Sequence, residues 1–217
     1  MNLKPKSDRE FSVASDEFIW DSEEKTEIHR FIEKPILSQL SSRQISTVLD
    51  LGCGNGSFTN IVSSYGYEVI GLDYSETGIS IARNKYPKIT FAQHDAQEQL
   101  SNLHFLKYDA VISVEVIEHL LLPRKLIQNA YDALKPGGIF ILTTPFHGYW
   151  KNIALALTNK YDEHWHPLRD YGHIKFFSKK TILALFAEFN FKVVEFNTVG
   201  RFPAFARSMI VVAEKNK

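Results

Sequence analysis

Val48-Leu49-Asp50-Leu51-Gly52-Cys53-Gly54-Asn55-Gly56 decides the fold. It reads as a buried strand running into a glycine-rich turn. An acid, Asp73, follows at the end of the next apolar run, Val69-Ile70-Gly71-Leu72. A strand, a glycine turn, a helix, a second strand and a terminal acid form the first half of a doubly wound nucleotide site. The glycines let the backbone approach a ligand, and the acid accepts hydrogen bonds from ribose hydroxyls.

The glycine spacing selects among nucleotides. A dinucleotide fingerprint is G-x-G-x-x-G, with the helix N-terminus facing a pyrophosphate. Here the glycines fall at 52, 54 and 56, and position 57 is Ser57. Asp50, just before the turn, would repel a pyrophosphate and attract a cation. S-adenosylmethionine carries an ammonium, a sulfonium and a ribose but no phosphate, so the charge pattern favours it over NAD. The plainer alternative is a tight turn in some other α/β domain.

The 217 residues suit one domain with a substantial core. Lys+Arg and Asp+Glu are both 25, so no broad basic footprint argues for nucleic acid. The single cysteine, Cys53, excludes an internal disulfide and a cysteine zinc cluster. No apolar run approaches the ~20 residues of a membrane span. MNLKPKSDRE lacks the apolar core of a signal peptide, so the cytoplasm is the expected location.

Residues 1–15 read as a mobile tail and 16–217 as one domain. Apolar residues from Phe18 to Leu40 recur at helical spacing, predicting one or two helices with a break near Pro35. Strands are expected at 46–51, 67–72, 88–93, 110–114, 139–143, 192–196 and 208–213. Helices are expected at 56–65, from Ser75 to before Pro87, at 123–134 and at 179–189. Lys135-Pro136-Gly137-Gly138 should stop the third of these. The alternation predicts a doubly wound, mostly parallel seven-stranded sheet whose last two strands, having no helix between them, pair antiparallel.

Residues 145–177 lie between the fifth strand and the last helix. The segment holds Trp150, Tyr161, His164, Trp165, His166, Tyr171, His173, Phe176 and Phe177, and is too aromatic for disorder. It reads as a lid over an acceptor pocket, or as an extra packing layer with satisfied histidines. Phe202-Pro203-Ala204-Phe205 reads as contact with a lipid surface or an apolar substrate tail, or more plainly as a buried hairpin connection.

Across about residues 45–145 the chain resembles class I S-adenosylmethionine-dependent methyltransferases. VLDLGCGNG (48–56) resembles their first motif and IGLDYS (70–75) their ribose-binding second motif. QHDA (93–96) resembles the segment whose acid meets the adenine amino group. ALKPGGIFILTTP (133–145) resembles their fifth-strand signature. The pattern is most similar to the ubiquinone-biosynthesis O-methyltransferase type, whose E-x-x-E-H motif matches Glu115-Val116-Ile117-Glu118-His119. The resemblance implies a Rossmann-like methyltransferase fold and places Gly52, Asp73 and Val114 on cofactor-contact positions. Asp50, Gly54, Gly56, Tyr74, Asp95 and Ala96 complete the expected cofactor set. It also implies Mg²⁺ at the acid–acid–histidine triplet.

Methyl transfer from a sulfonium is an in-line displacement, so the protein supplies orientation and, for an oxygen acceptor, a route for the proton. On a helical turn Glu115, Glu118 and His119 would share one face and could hold a divalent ion. Without metal, His119 is the candidate general base; the plain alternative is a helix start with a capping histidine. Among His147, His164, His166 and His173, the last is the second catalytic candidate.

The expected activity is O-methylation of a small phenol- or quinol-like metabolite. One rival is an RNA 2′-O-methyltransferase of the small-RNA 3′-end type, in which His173 would be a metal ligand; the balanced charge weighs against it. The other is a binding subunit that keeps the fold without catalysis. Partners are thus a small acceptor, with nucleic acid disfavoured, no membrane span and at most a weak peripheral lipid contact. Oligomeric state is not legible.

Overall fold

The computed structural model describes Trp20 and residues 26–100, 107–165, 167–200 and 202–216. The tail expected over residues 1–15 and His166 lie outside the described residues. In chain order the elements are α1 (His29–Ser41), β1 (Thr47–Leu51), α2 (Ser57–Ser64), β2 (Glu68–Asp73), α3 (Glu76–Lys85), β3 (Thr90–Gln93) and β4 (Tyr108–Val114). There follow α4 (Pro123–Ala133), β5 (Leu134–Pro145), α5 (Tyr149–Thr158), α6 (Tyr161–Trp165), α7 (Lys179–Ala187), β6 (Phe191–Val199) and β7 (Ser208–Lys215).

The strands form one seven-stranded sheet in the order β3-β2-β1-β4-β5-β7-β6. β1 to β5 pair in parallel, and β7 is antiparallel to both β5 and β6. Side chains alternate across each strand, so continuous apolar runs supply two cores. Leu49, Leu51, Val111, Phe140 and Leu142 face α4 and α7, where Leu126, Ile127, Ile182 and Phe186 meet them. Val48, Ala110, Ile112, Ile139 and Ile141 face the other way, onto α1 and α2 through Ile32, Ile36, Leu40, Phe58 and Ile61. The order reverses beside β1, so β1 and β4 diverge at their carboxyl ends into the crevice where open α/β sheets bind ligands.

Several expectations change. α1 runs through Pro35 without a break. The proline removes one backbone hydrogen bond, but Ile32, Ile36 and Leu40 are fully buried on either side and their burial offsets it. Lys135-Pro136-Gly137-Gly138 lies within β5 rather than before it, because Leu134 already pairs with Tyr108 across a bulge and Lys135 reaches Asp109 at 2.6 Å. The segment 145–177 holds two helices, α5 and α6. Phe202 is 69% exposed, so its turn is no buried connection.

Ser75 caps α3, accepting the Gly78 N–H at 3.1 Å, as its sequence position predicts. No described helix is long and apolar enough to cross a membrane. Phe140 is fully buried, with its ring 5.5 Å from Phe186 and 5.8 Å from Phe191. Phe140→Ala should cost roughly 3–5 kcal/mol of unfolding free energy. Urea denaturation followed by circular dichroism checks this; a loss below about 1 kcal/mol would show that the three rings do not form a packed core.

Candidate active site

The first half of the site forms where β1 ends. Gly52, Gly54 and Gly56 all have positive φ, at 87°, 54° and 72°, so the turn needs residues without a Cβ penalty. Close approach requires them as well. A Cβ on Gly52 would fall 2.3 Å from a Val116 methyl, and one on Gly54 would fall 2.2 Å from the Trp20 indole. Gly52 and Cys53 both donate to the Leu72 carbonyl, at 2.7 and 3.0 Å, locking the turn to the end of β2.

Asp73 then closes the turn from the other side. One carboxylate oxygen accepts the Gly54 N–H at 2.7 Å and the other the Ser75 N–H at 2.8 Å. Tyr74 beside it is 44% exposed at the crevice rim. Gln93 donates to the Tyr74 carbonyl at 3.0 Å, bringing the 93–96 segment alongside. Asp95 accepts the Gln97 N–H at 2.8 Å and Ala96 is buried. Val114 closes β4 opposite Thr143.

Asp50 is 1% exposed. One of its oxygens accepts the Thr59 hydroxyl at 2.7 Å, while Oδ1 is buried with no partner among the described residues. Burial pushes its pKa up to about 7, with the Asp73 charge adding to the rise. An orphaned carboxylate oxygen beside a glycine cradle and a half-buried acid, Asp73, fits a ligand with a cationic end and a sugar.

The second half forms where β4 ends. Glu115 adopts φ 54°, in the left-handed region, which breaks the chain away from the strand before a short 3₁₀ turn, Ile117–His119. The expected single helical face of Glu115, Glu118 and His119 therefore does not form. Glu115 turns toward β5 and β7, and its Oε1 accepts the hydroxyls of Thr143 at 2.9 Å and Ser208 at 2.6 Å. Burial raises its pKa, although Lys151 and Arg207 act to lower it.

Glu118 and His119 remain together, and the structure adds His173. Glu118 is 1% exposed; its Oε2 accepts the Thr144 hydroxyl at 2.9 Å, and Oε1 is buried with no partner among the described residues. The Nε2 atoms of His119 and His173 lie 4.0 and 3.9 Å from that oxygen. One ligand atom from each residue falls within 4.8 Å of the other two. The His119 Nδ1 contacts the carbonyls of Tyr171 at 2.9 Å and Gly172 at 3.2 Å, so it carries the proton and the neutral ring keeps its lone pair on Nε2. Burial lowers the His119 pKa. Burial, then the Glu115 charge, holds the Glu118 carboxyl well above the usual range.

Two main-chain bonds deliver His173. Ile174 and Lys175 both donate to the Glu118 carbonyl at 2.9 Å, pinning the segment that returns from α6. Of the other histidines, His147 is buried against His164 and Phe176, and burial first pushes its pKa down to about 3. Next to His173 and Glu115 opens a cavity of about 430 Å³, roofed by α5 and bordered by the 203–207 turn. Sequence reading missed its cations, Lys151 and Arg207, and also Trp20, Thr144 and Ser208. Thr144 stood in the quoted fifth-strand signature, but nothing in one strand shows which hydroxyl meets which acid.

Known proteins share this architecture. A family model described as a methyltransferase domain matches residues 22–196. A ubiquinone biosynthesis O-methyltransferase from Rickettsia canadensis is 27% identical over 169 residues, covering 76% of this chain and 70% of that protein. One from Hydrogenovibrio crunogenus is 31% identical over 125 residues, covering 56% of this chain; the match spans only 51% of that relative's length. The structure of magnesium protoporphyrin IX methyltransferase from Synechocystis PCC 6803 with bound SAH superposes with a TM-score of 0.65 at 18% identity, covering 85% of this chain and 82% of that one.

The Asp50 carboxyl makes folding pH-dependent. Its folded pKa lies above its unfolded value of 3.8, so its contribution to stability is fully present below about pH 4 and is lost as pH rises through about 7. The ligand-free protein should lose on the order of a few kcal/mol over that window through this group. Asp50→Asn should flatten the slope, measured by urea unfolding at pH 5 and pH 8; an unchanged slope would place the titrating group elsewhere.

Proposed function

This chain belongs to the methyltransferase domain family, and we propose that it transfers the methyl group of S-adenosylmethionine to a hydroxyl of a small phenol- or quinol-like acceptor. That it is an S-adenosylmethionine-dependent methyltransferase with a Rossmann-like fold follows from the family and its relatives. The acceptor and the residue roles are our reading. The observation that carries it is the convergence of Glu118, His119 and His173 just past the carboxyl end of β4, with His173 also lining the 430 Å³ cavity.

S-adenosylmethionine supplies an electrophilic methyl on a sulfonium; the chain supplies position and a proton acceptor. Asp50 would face the amino-acid end, where a cation keeps the buried carboxyl ionised. Asp73 would hold the ribose, with Gly52, Gly54 and Gly56 admitting the ligand to the backbone and Tyr74, Asp95, Ala96 and Val114 bordering it. His119 is poised as a base, because its Nδ1 proton is committed to two carbonyls and its lowered pKa keeps Nε2 unprotonated near neutral pH.

Glu118, His119 and His173 also fit a divalent cation. The buried unpaired oxygen of Glu118 and the two imidazole Nε2 atoms form a mixed oxygen–nitrogen donor set. Such a set suits a transition ion such as Mn²⁺ or Zn²⁺ better than Mg²⁺, which prefers oxygen ligands. Bound there, an ion would polarise an acceptor oxygen and ease loss of its proton. The same convergence favours a second reading, the RNA 2′-O-methyltransferase, since His173 joins the acid–histidine pair as that class requires. Labelled cofactor offered to total small RNA and to catechol separates the two readings.

Turnover with labelled S-adenosylmethionine and catechol should yield a methyl ether, identified by mass spectrometry. Failure of every hydroxylated small acceptor alongside labelling of RNA would overturn the small-acceptor reading. His119→Ala should lower kcat by about 10²-fold or more, with cofactor affinity held within about twofold by calorimetry. His173→Ala should abolish retention of Mn²⁺ in equilibrium dialysis. Full turnover after exhaustive chelation would remove the metal and leave His119 as the base.

A further inference from the structure

We propose that Trp20 is a wall of the cofactor crevice, its indole laid on the glycine cradle and packing against the cofactor bound there. This deepens, and rests on, the reading of the glycine turn as the cofactor site. One ring meets two glycines. A Cβ on Gly54 would fall 2.2 Å from the indole Cζ2 and 2.8 Å from Cε2 and Cη2, and one on Gly78 would fall 2.8 Å from Cδ1. Gly54 lies in the turn after β1 and Gly78 in the first turn of α3, so the indole bridges turn and helix. The main chain is fixed to the same place. The Trp20 N–H donates to the Thr77 hydroxyl at 3.1 Å, and that hydroxyl lies 2.9 Å from the Ser75 hydroxyl that caps α3.

These contacts bracket Asp73. Its carboxylate accepts the N–H groups of Gly54 and Ser75, while Trp20 rests on Gly54, Thr77 and Gly78. The ring therefore stands beside the acid read as the ribose partner. Exposure separates it from a core ring. Phe91 fills the space at Gly56 and Gly71 from within a buried cluster and is 4% exposed. Trp20 fills the space at Gly54 and Gly78 and is only half-buried, so part of its surface is still open. A ligand whose ribose is held by Asp73 would cover that surface. An indole offers such a ligand a broad apolar face, and its electron-rich ring also attracts a cation such as a sulfonium or an ammonium. Glycine at positions 54 and 78 thus admits the chain's own indole to the cradle, and the indole in turn shapes the space left for the cofactor.

The test uses the full chain. Trp150→Phe combined with Trp165→Phe leaves Trp20 as the sole tryptophan, since the sequence has three. S-adenosylmethionine and S-adenosylhomocysteine, each titrated into this reporter, should shift the Trp20 emission saturably and shield the ring from acrylamide quenching. In the otherwise native chain, Trp20→Leu should weaken S-adenosylhomocysteine binding by about tenfold or more in calorimetry, the scale of a well-packed aromatic contact. Trp20→Phe should recover part of that loss. The reporter keeps Trp20, so its reading does not depend on whether Trp20→Leu folds. Saturable binding by calorimetry with emission and quenching unchanged would overturn the proposal, even if Trp20→Leu binds weakly, because the ring would then only support the turn. Binding by Trp20→Leu within about twofold of the native chain would overturn it as well. Either result leaves the cofactor site standing. A native chain that binds neither compound removes the cofactor premise and the proposal with it.

Discussion

Glu118 is withdrawn from water at 1% exposure, with one oxygen on the Thr144 hydroxyl and the other without a protein partner among the described residues. Burying a carboxylate costs several kcal/mol unless something pairs with it. Burial and the Glu115 charge raise the group's pKa, and two imidazoles turn toward the bare oxygen. The main-chain carbonyl of the same residue takes the N–H groups of Ile174 and Lys175. One residue thus fixes the acid, the route of the returning segment and the position of His173. The neighbouring left-handed Glu115 stores backbone strain where a strained residue most often has a functional role.

The crevice at the glycine turn uses the same physics. Asp73 is held by two backbone N–H groups, whereas Asp50 is buried and its pKa is pushed up by that burial. A cationic ligand bound there would restore the charge that folding suppresses and would couple binding to folding through one carboxyl. The roof is built differently. α5 buries none of its residues, and Trp150 and Leu157 are 61% and 82% exposed. An element held by so little buried apolar surface is expected to open at low cost.

Much of this was legible in one dimension. β1, the glycine turn, β2 and Asp73 are local in sequence, and their geometry follows from backbone rules that hold wherever those residues occur. The antiparallel end of the sheet follows from the missing helix between the last two strands. Pro35 and Lys135-Pro136-Gly137-Gly138 were misread because both are local signals that packing overrode. Ile32, Ile36 and Leu40 hold α1 together, and Tyr108 captures Leu134 before the glycines. At Glu115-Val116-Ile117-Glu118-His119 the backbone differs from the sequence reading. A helical face was assumed, and a left-handed residue at 115 sent the first acid elsewhere.

The sequence by itself marked the strands, the glycine turn and the acids Asp50 and Asp73 at the strand ends, because apolar runs, turn residues and end positions are local signals. Only the tertiary structure decided what meets across the fold: His173 with Glu118, Ser208 with Glu115, and Lys151 with Arg207 around Phe146. Those contacts join residues 55 to 93 positions apart, or link them through a third residue. A hydrogen bond or an ion pair across such a separation leaves no periodicity in the chain, since it is set by how the strands order themselves and where the long segment after β5 lands.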